Sequence, residues 1–122
     1  MRAIAEDLLN RAIRCLQDHQ AQDPVVIEVG PKTVIADHFL IATARSGTHL
    51  SALAEALGAA LKDDLHHQEG DRHSSWVLLD CRDLIIHLFL PEARAFYALE
   101  RLWGDVASWP AGAGAEAGGA AP

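Results

Sequence analysis

Ile4, Leu8, Leu9, Ala12, Ile13 and Leu16 recur at helical spacing, with Glu6, Asp7, Asn10, Arg14 and Gln17 between them. A 3.6-residue period predicts an amphipathic first helix with one buried stripe. Val25 to Val29 is then a β-branched run between Pro24 and Gly30-Pro31, and Phe39 to Thr43 is a second apolar run. Both read as strands. Ser46 precedes a stretch with Leu50, Leu53, Leu57 and Leu61 on one face. A Ser at that position can satisfy the free amides of a helix start, which predicts a capped helix from about Gly47 to Leu65.

The pattern changes again at His66 to Ser75, a polar stretch containing Gly70 that reads as an exposed loop. Trp76 to Asp80 and Asp83 to Leu90 follow as strands separated by Cys81-Arg82, a hairpin spacing. Pro91 in the first turn and Glu92 beside it open a third helix carrying Phe96, Leu99, Leu102 and Trp103. Beyond Gly104 the chain runs into an Ala/Gly-rich end with little to bury and much entropy to lose. The expectation is one domain over residues 1–103 and a disordered tail over 104–122. The order α-β-β-α-β-β-α implies a mixed α/β fold, a mixed sheet covered by helices.

Composition narrows the function. Half of the 122 residues are hydrophobic and 22% are charged, as in a folded globular protein. The formal net charge of −7 argues against wrapping a nucleic-acid backbone and favours a basic protein partner. Cys15 and Cys81 form no CxxC pair, which suits a reducing compartment. Met1 to Asn10 carries no apolar signal run and no stretch is long enough to span a bilayer, so a cytoplasmic protein is expected.

Candidate chemistry is sparse. No GxSxG elbow and no GxxxxGK or GxGxxG loop occurs, so neither an activated serine nor a phosphate cradle is indicated. Asp80, Asp83 and His87 could hold a metal or move a proton. The plainer reading puts both Asp side chains on the turn backbone and His87 in the core. His66, His67 and His73 with Asp71 could attract zinc, but adjacent histidines diverge and no cysteine joins them, so a solvated loop is the better account. Neither a metal nor a cofactor is expected. A core role accounts for Phe96 and Trp103. For Trp76 and Tyr97, core packing and an apolar binding patch rimmed by charge both stand.

Two blocks of sequence carry a resemblance. Asp37-His-Phe-Leu-Ile-Ala-Thr43, followed by Ser46 and His49, resembles a pattern of the ribosomal silencing factors, the RsfS/Iojap family. The second block is more specific: Trp76-Val-Leu-Leu-Asp80, Asp83-Leu-Ile-Ile-His87-Leu-Phe89, then Arg94, Phe96, Tyr97, Leu99, Glu100, Leu102 and Trp103 in the family's order. The match spans Leu8 to Trp103. It departs at Ala44 and Arg82, where members usually carry Gly, so the hairpin should have another turn type or some strain.

The resemblance implies a translational repressor, not an enzyme. Such a factor binds the large ribosomal subunit through that subunit's ribosomal protein fourteen and sterically blocks joining of the small subunit when nutrients run short. It implies a contact surface drawn from Trp76, Asp80, Asp83, Arg94, Tyr97, Glu100 and Trp103, with Trp76 and Tyr97 the leading anchors. It implies homodimers as well, no membrane and no sequence-specific nucleic acid. The family's topology is similar to that of nucleotidyltransferases, which supplies an alternative: an enzyme using metal and nucleotide. That fold's Gly-Ser turn and Asp-x-Asp pair have no counterpart here.

Overall fold

The computed structural model describes residues 2–71, 73–103 and 108–111. The apolar stripe of the first segment becomes α1, Arg2–Asp18, with Leu8, Leu9, Ala12, Ile13 and Leu16 buried and Asp7, Arg14 and Gln17 in solvent. Helix α2, Gly47–Ala60, packs beside it. Its start is the expected cap: Ser46 is extended and its Oγ accepts the His49 N–H at 3.1 Å. The helix ends at Ala60, short of the expected Leu65, and 61–64 form turns. Leu61 still buries its side chain, but Lys62 and Asp63 are exposed, so packing gives the last turn no reason to continue.

Among the described residues, six strands form one sheet in the order β3-β4-β5-β2-β1-β6. They are β1 Gln22–Glu28, β2 His38–Thr43, β3 His67–Glu69, β4 Trp76–Asp80, β5 Leu84–Phe89 and β6 Ser108–Pro110. Only β2 and β5 pair in parallel; the other neighbours are antiparallel, which makes the sheet mixed. Two strands lie where loop or tail was expected. β3 falls in the polar segment His66 to Ser75, is exposed throughout, and forms by pairing with β4 at the sheet edge. β6 lies past the expected domain end at 103, paired with β1. Ala111 behind it is buried, and its N–H donates to Pro24 O at 2.7 Å. Three residues without alternation carry no period to read, and Pro110 is tolerated there because β6 is an edge strand. Residues 104–107 and 112–122 of the expected tail lie outside the described residues.

The tip of the β4–β5 hairpin is shifted by one residue from the expected Cys81-Arg82, because Asp83 lies in the turn and β5 starts at Leu84. Asp80 pairs with Ile85 and the Cys81 N–H donates to Leu84 O at 2.8 Å, leaving Arg82 and Asp83 at the tip of the turn. Arg82 has φ 70, the left-handed conformation that Gly takes without penalty, so of the two expectations the strained turn is the observed one. The Asp80 carboxylate accepts the Arg82 N–H at 2.8 Å and fixes the turn locally. Ala44, the other departure, is buried without a positive φ, and there Ala fits.

The expected third helix is broken. Ala98 adopts φ 47 and ψ 52, ending α3, Pro91–Tyr97, and starting the one-turn α4, Leu99–Leu102. A continuous helix would have put Phe96, Leu99, Leu102 and Trp103 on one stripe. The break turns Leu99 and Trp103 onto the sheet and leaves Phe96 81% and Leu102 73% exposed. The core role expected for Phe96 is therefore corrected, and that for Trp103 stands.

Strand alternation divides the core in two. On one face Val26, Leu40, Ala42, Val77, Leu79, Leu84, Ile86 and Leu88 lie under α1 and α2. On the other, Ile27, Val29, Phe39, Ile41, Ile85 and Phe89 lie under Ala93, Tyr97, Leu99 and Trp103 of the short α3–α4 segment.

Candidate functional site

The lightly covered face is aromatic because of register. Trp76 pairs with Phe89 and Leu78 with His87, while Phe39 pairs with Ile85 on the other side of β5. Period two sends all of these side chains to the same side. Trp76 lies 5.0 Å from Phe89 and 4.6 Å from Tyr97, ring centre to ring centre. Phe96 stands edge-on to Tyr97 at 5.1 Å, extending the cluster into solvent. At the other end Trp103 meets Phe39 edge-on at 5.4 Å, and Phe39 meets His87 at 4.7 Å. These separations suit offset and edge-to-face aromatic packing.

One side-chain hydrogen bond lies inside the cluster: the Trp76 indole N–H donates to His87 Nδ1 at 3.2 Å. An accepting Nδ1 requires the neutral imidazole with its proton on Nε2. Burial keeps it neutral, pushing the His87 pKa down to about 4. Nε2 is buried and has no hydrogen-bond partner among the described residues.

Arg94 ties the short helices to the sheet. Its Nε and Nη2 donate to one Glu100 oxygen at 2.9 and 2.6 Å, across the helix break. Its Nη1 donates to Thr43 Oγ1 on β2 at 2.8 Å and to Asp23 O at 2.7 Å. The Arg94 side chain is only 14% exposed, so its donors are spent on holding α3 and α4 in place.

The residues expected to make a contact surface thus fall into three places. Trp76, Tyr97 and Trp103 belong to the aromatic face. Arg94 and Glu100 bind each other beneath it. Asp80 and Asp83 sit at the hairpin turn, where the Asp83 carbonyl accepts the N–H groups of Asp37 and His38. That turn is about 13 Å along β4 from Trp76 at 3.3 Å per residue. Sequence reasoning missed Phe96 and Leu102 as exposed apolar groups, because the break at Ala98 carries no Gly or Pro to announce it. It also passed over Val34 and Ile35, exposed on the loop between β1 and β2.

The histidine-rich segment is spent on local bonds. His67 pairs with Glu69 at 2.9 Å, His66 accepts from Arg82 at 3.1 Å, and the His73 N–H donates to Asp71 at 2.9 Å. Among the described residues, no group of three or more His, Cys, Asp and Glu side chains is placed to hold a metal ion, and no helix is long and apolar enough to cross a membrane.

Comparison with known proteins puts this geometry in a family. The family described as ribosomal silencing factor during starvation, RsfS, matches residues 2–118. A ribosomal silencing factor RsfS of Zymomonas mobilis is 42% identical over 102 residues, covering 81% of this chain and 77% of that one. A mouse protein named mitochondrial assembly of ribosomal large subunit protein 1 is 33% identical over 101 residues, 78% of this chain but 44% of that one. A crystal structure of a Chromobacterium violaceum protein superposes with a TM-score of 0.76 at 30% identity, covering 94% of this chain and 93% of that one. The chain belongs to the ribosomal silencing factor family, RsfS.

Proposed function

We propose that this chain silences translation by docking on the large ribosomal subunit through that subunit's ribosomal protein fourteen, blocking the small subunit sterically. It acts in the cytoplasm, by occupancy and without a chemical step. The observation that carries the reading is the apolar surface of the α3–α4 segment: Phe96 and Tyr97 exposed in contact with each other and, through Tyr97, with the half-buried Trp76, and Leu102 exposed on α4. Exposed aromatics on a rigid support are what interface hot spots are made of, and Arg94 supplies the rigidity. The net charge of −7 favours association with a basic ribosomal protein. The mouse relative is named for assembly of the ribosomal large subunit, which supports the same partner.

The test is co-sedimentation with separated large and small subunits, together with a count of rejoined ribosomes. Stoichiometric binding to the large subunit and loss of joining are expected. Tyr97→Ala should weaken both by at least tenfold, the range of a hot-spot truncation. A chain that stays in the supernatant and leaves joining unaffected sinks the proposal. Self-association, the other partner implied by the family, is read separately by light scattering of the free chain.

A further inference from the structure

His87 is out of character with its position. On its side of the sheet its neighbours are Ile85, Phe89, Phe39 and Ile41, all apolar and buried. A leucine there would bury more apolar area and carry no polar atom of its own to leave unpaired. The imidazole instead carries a buried Nε2 without a partner among the described residues. A cost of that kind needs a compensating role. The ring's one hydrogen bond among the described residues points to such a role: Nδ1 accepts the Trp76 indole N–H.

The register makes this bond available. Trp76 pairs with Phe89, so His87, two residues earlier on β5, is its diagonal neighbour across the antiparallel pair. Diagonal neighbours are within reach of long side chains. The Trp76 ring has Tyr97 at 4.6 Å and Phe89 at 5.0 Å. Ring packing of this kind tolerates sliding and tilting, whereas an N–H···N bond fixes one direction. We infer that His87 is the positioning residue of the aromatic face: by accepting the Trp76 indole N–H it sets which edge of that ring is offered to the partner. The inference rests on the docking function proposed above.

Side-chain chemistry separates positioning from packing. Asparagine at position 87 places an acceptor oxygen close to the site of Nδ1; leucine fills similar space with no acceptor. With ¹⁵N-tryptophan in the full chain, the indole signals of Trp76, Trp103 and Trp109 can be followed, and Trp76→Phe identifies the first. In His87→Leu the Trp76 indole N–H signal should shift and exchange faster with solvent, while the melting temperature stays equal or rises. Affinity for large subunits should fall about three- to tenfold, as for loss of one oriented hydrogen bond. His87→Asn should restore the indole signal and most of the affinity. An indole signal unchanged in His87→Leu would overturn the inference, as would unchanged affinity beside a displaced signal. If the wild-type chain itself does not bind subunits, the docking role falls with the proposed function, and the indole signal alone decides whether His87 positions Trp76.

Discussion

The two faces of the sheet solve the same burial problem differently. Under α1 and α2 the contacts are aliphatic: four leucines of α2 and its end, Leu50, Leu53, Leu57 and Leu61, are fully buried against strand residues that are likewise fully or almost fully buried. Under α3 and α4 the contacts are aromatic and carry polar groups, His87 and Thr43 within the buried layer and Arg94 across it. The first face spends its apolar area on stability. The second keeps part of it in solvent, at Phe96, Tyr97 and Leu102. The break at Ala98 is what leaves these side chains uncovered, as the docking proposed above requires.

That contrast can be tested from its strongest side. Leu53→Ala in the aliphatic face should cost about 3 kcal/mol, the usual range for a buried leucine left with a cavity, as read by denaturant unfolding. Subunit affinity per folded molecule should not change; a parallel loss of affinity would mean that the faces are not independent.

The polar content of the aromatic face predicts a pH dependence. His87 has a pKa of about 4 when folded against 6.5 when free. The unfolded chain therefore takes up the proton first as pH falls. Stability from this group is complete above pH 6.5 and is lost progressively toward pH 4, by up to roughly 3 kcal/mol. Comparing His87→Leu with wild type isolates the contribution from carboxylate titration: the wild-type curve should fall more steeply between those limits. Parallel curves would mean that the imidazole is not held neutral by burial.

Arg94→Met keeps the stem and removes the donors to Glu100, Thr43 and Asp23. It should cost about 2 kcal/mol, as for a partly buried charged hydrogen-bond network, and should speed amide exchange in α4 more than in α2. Uniform exchange would sink the idea that Arg94 holds the α3–α4 segment specifically. The smallest effect on folding belongs to Phe96→Ser: stability within about 0.5 kcal/mol of wild type, with large-subunit affinity reduced. A marked destabilisation there would mean that Phe96 is packed rather than presented.

Much of the α1–α2 face could be read from periodicity, because both helices repeat leucines over several turns and β2 and β5 bury nearly continuous apolar runs. The elements that escaped were short. β3 and β6 have three residues each, with no apolar alternation to detect, and exist by pairing with a longer neighbour. The candidate site was legible in part. Trp76 and Tyr97 stood out as aromatics beside charges, and they do meet, at 4.6 Å. Arg94 and Glu100 looked like surface charges because six residues apart in one helix they would not bond; the break at Ala98 brings them together.

By itself, the sequence determined the amphipathic helices, the apolar strands, the Ser46 cap, the acidic balance and the motif blocks that resemble the silencing factors. These depend on residues near one another in the chain, or on sums over it. The tertiary structure alone decided which apolar residues are spared from the core, which nitrogen of His87 is engaged, and what Arg94 binds. Those outcomes depend on strand register and on one left-handed residue, and a shift of one position in either would exchange the buried side chains for the exposed ones.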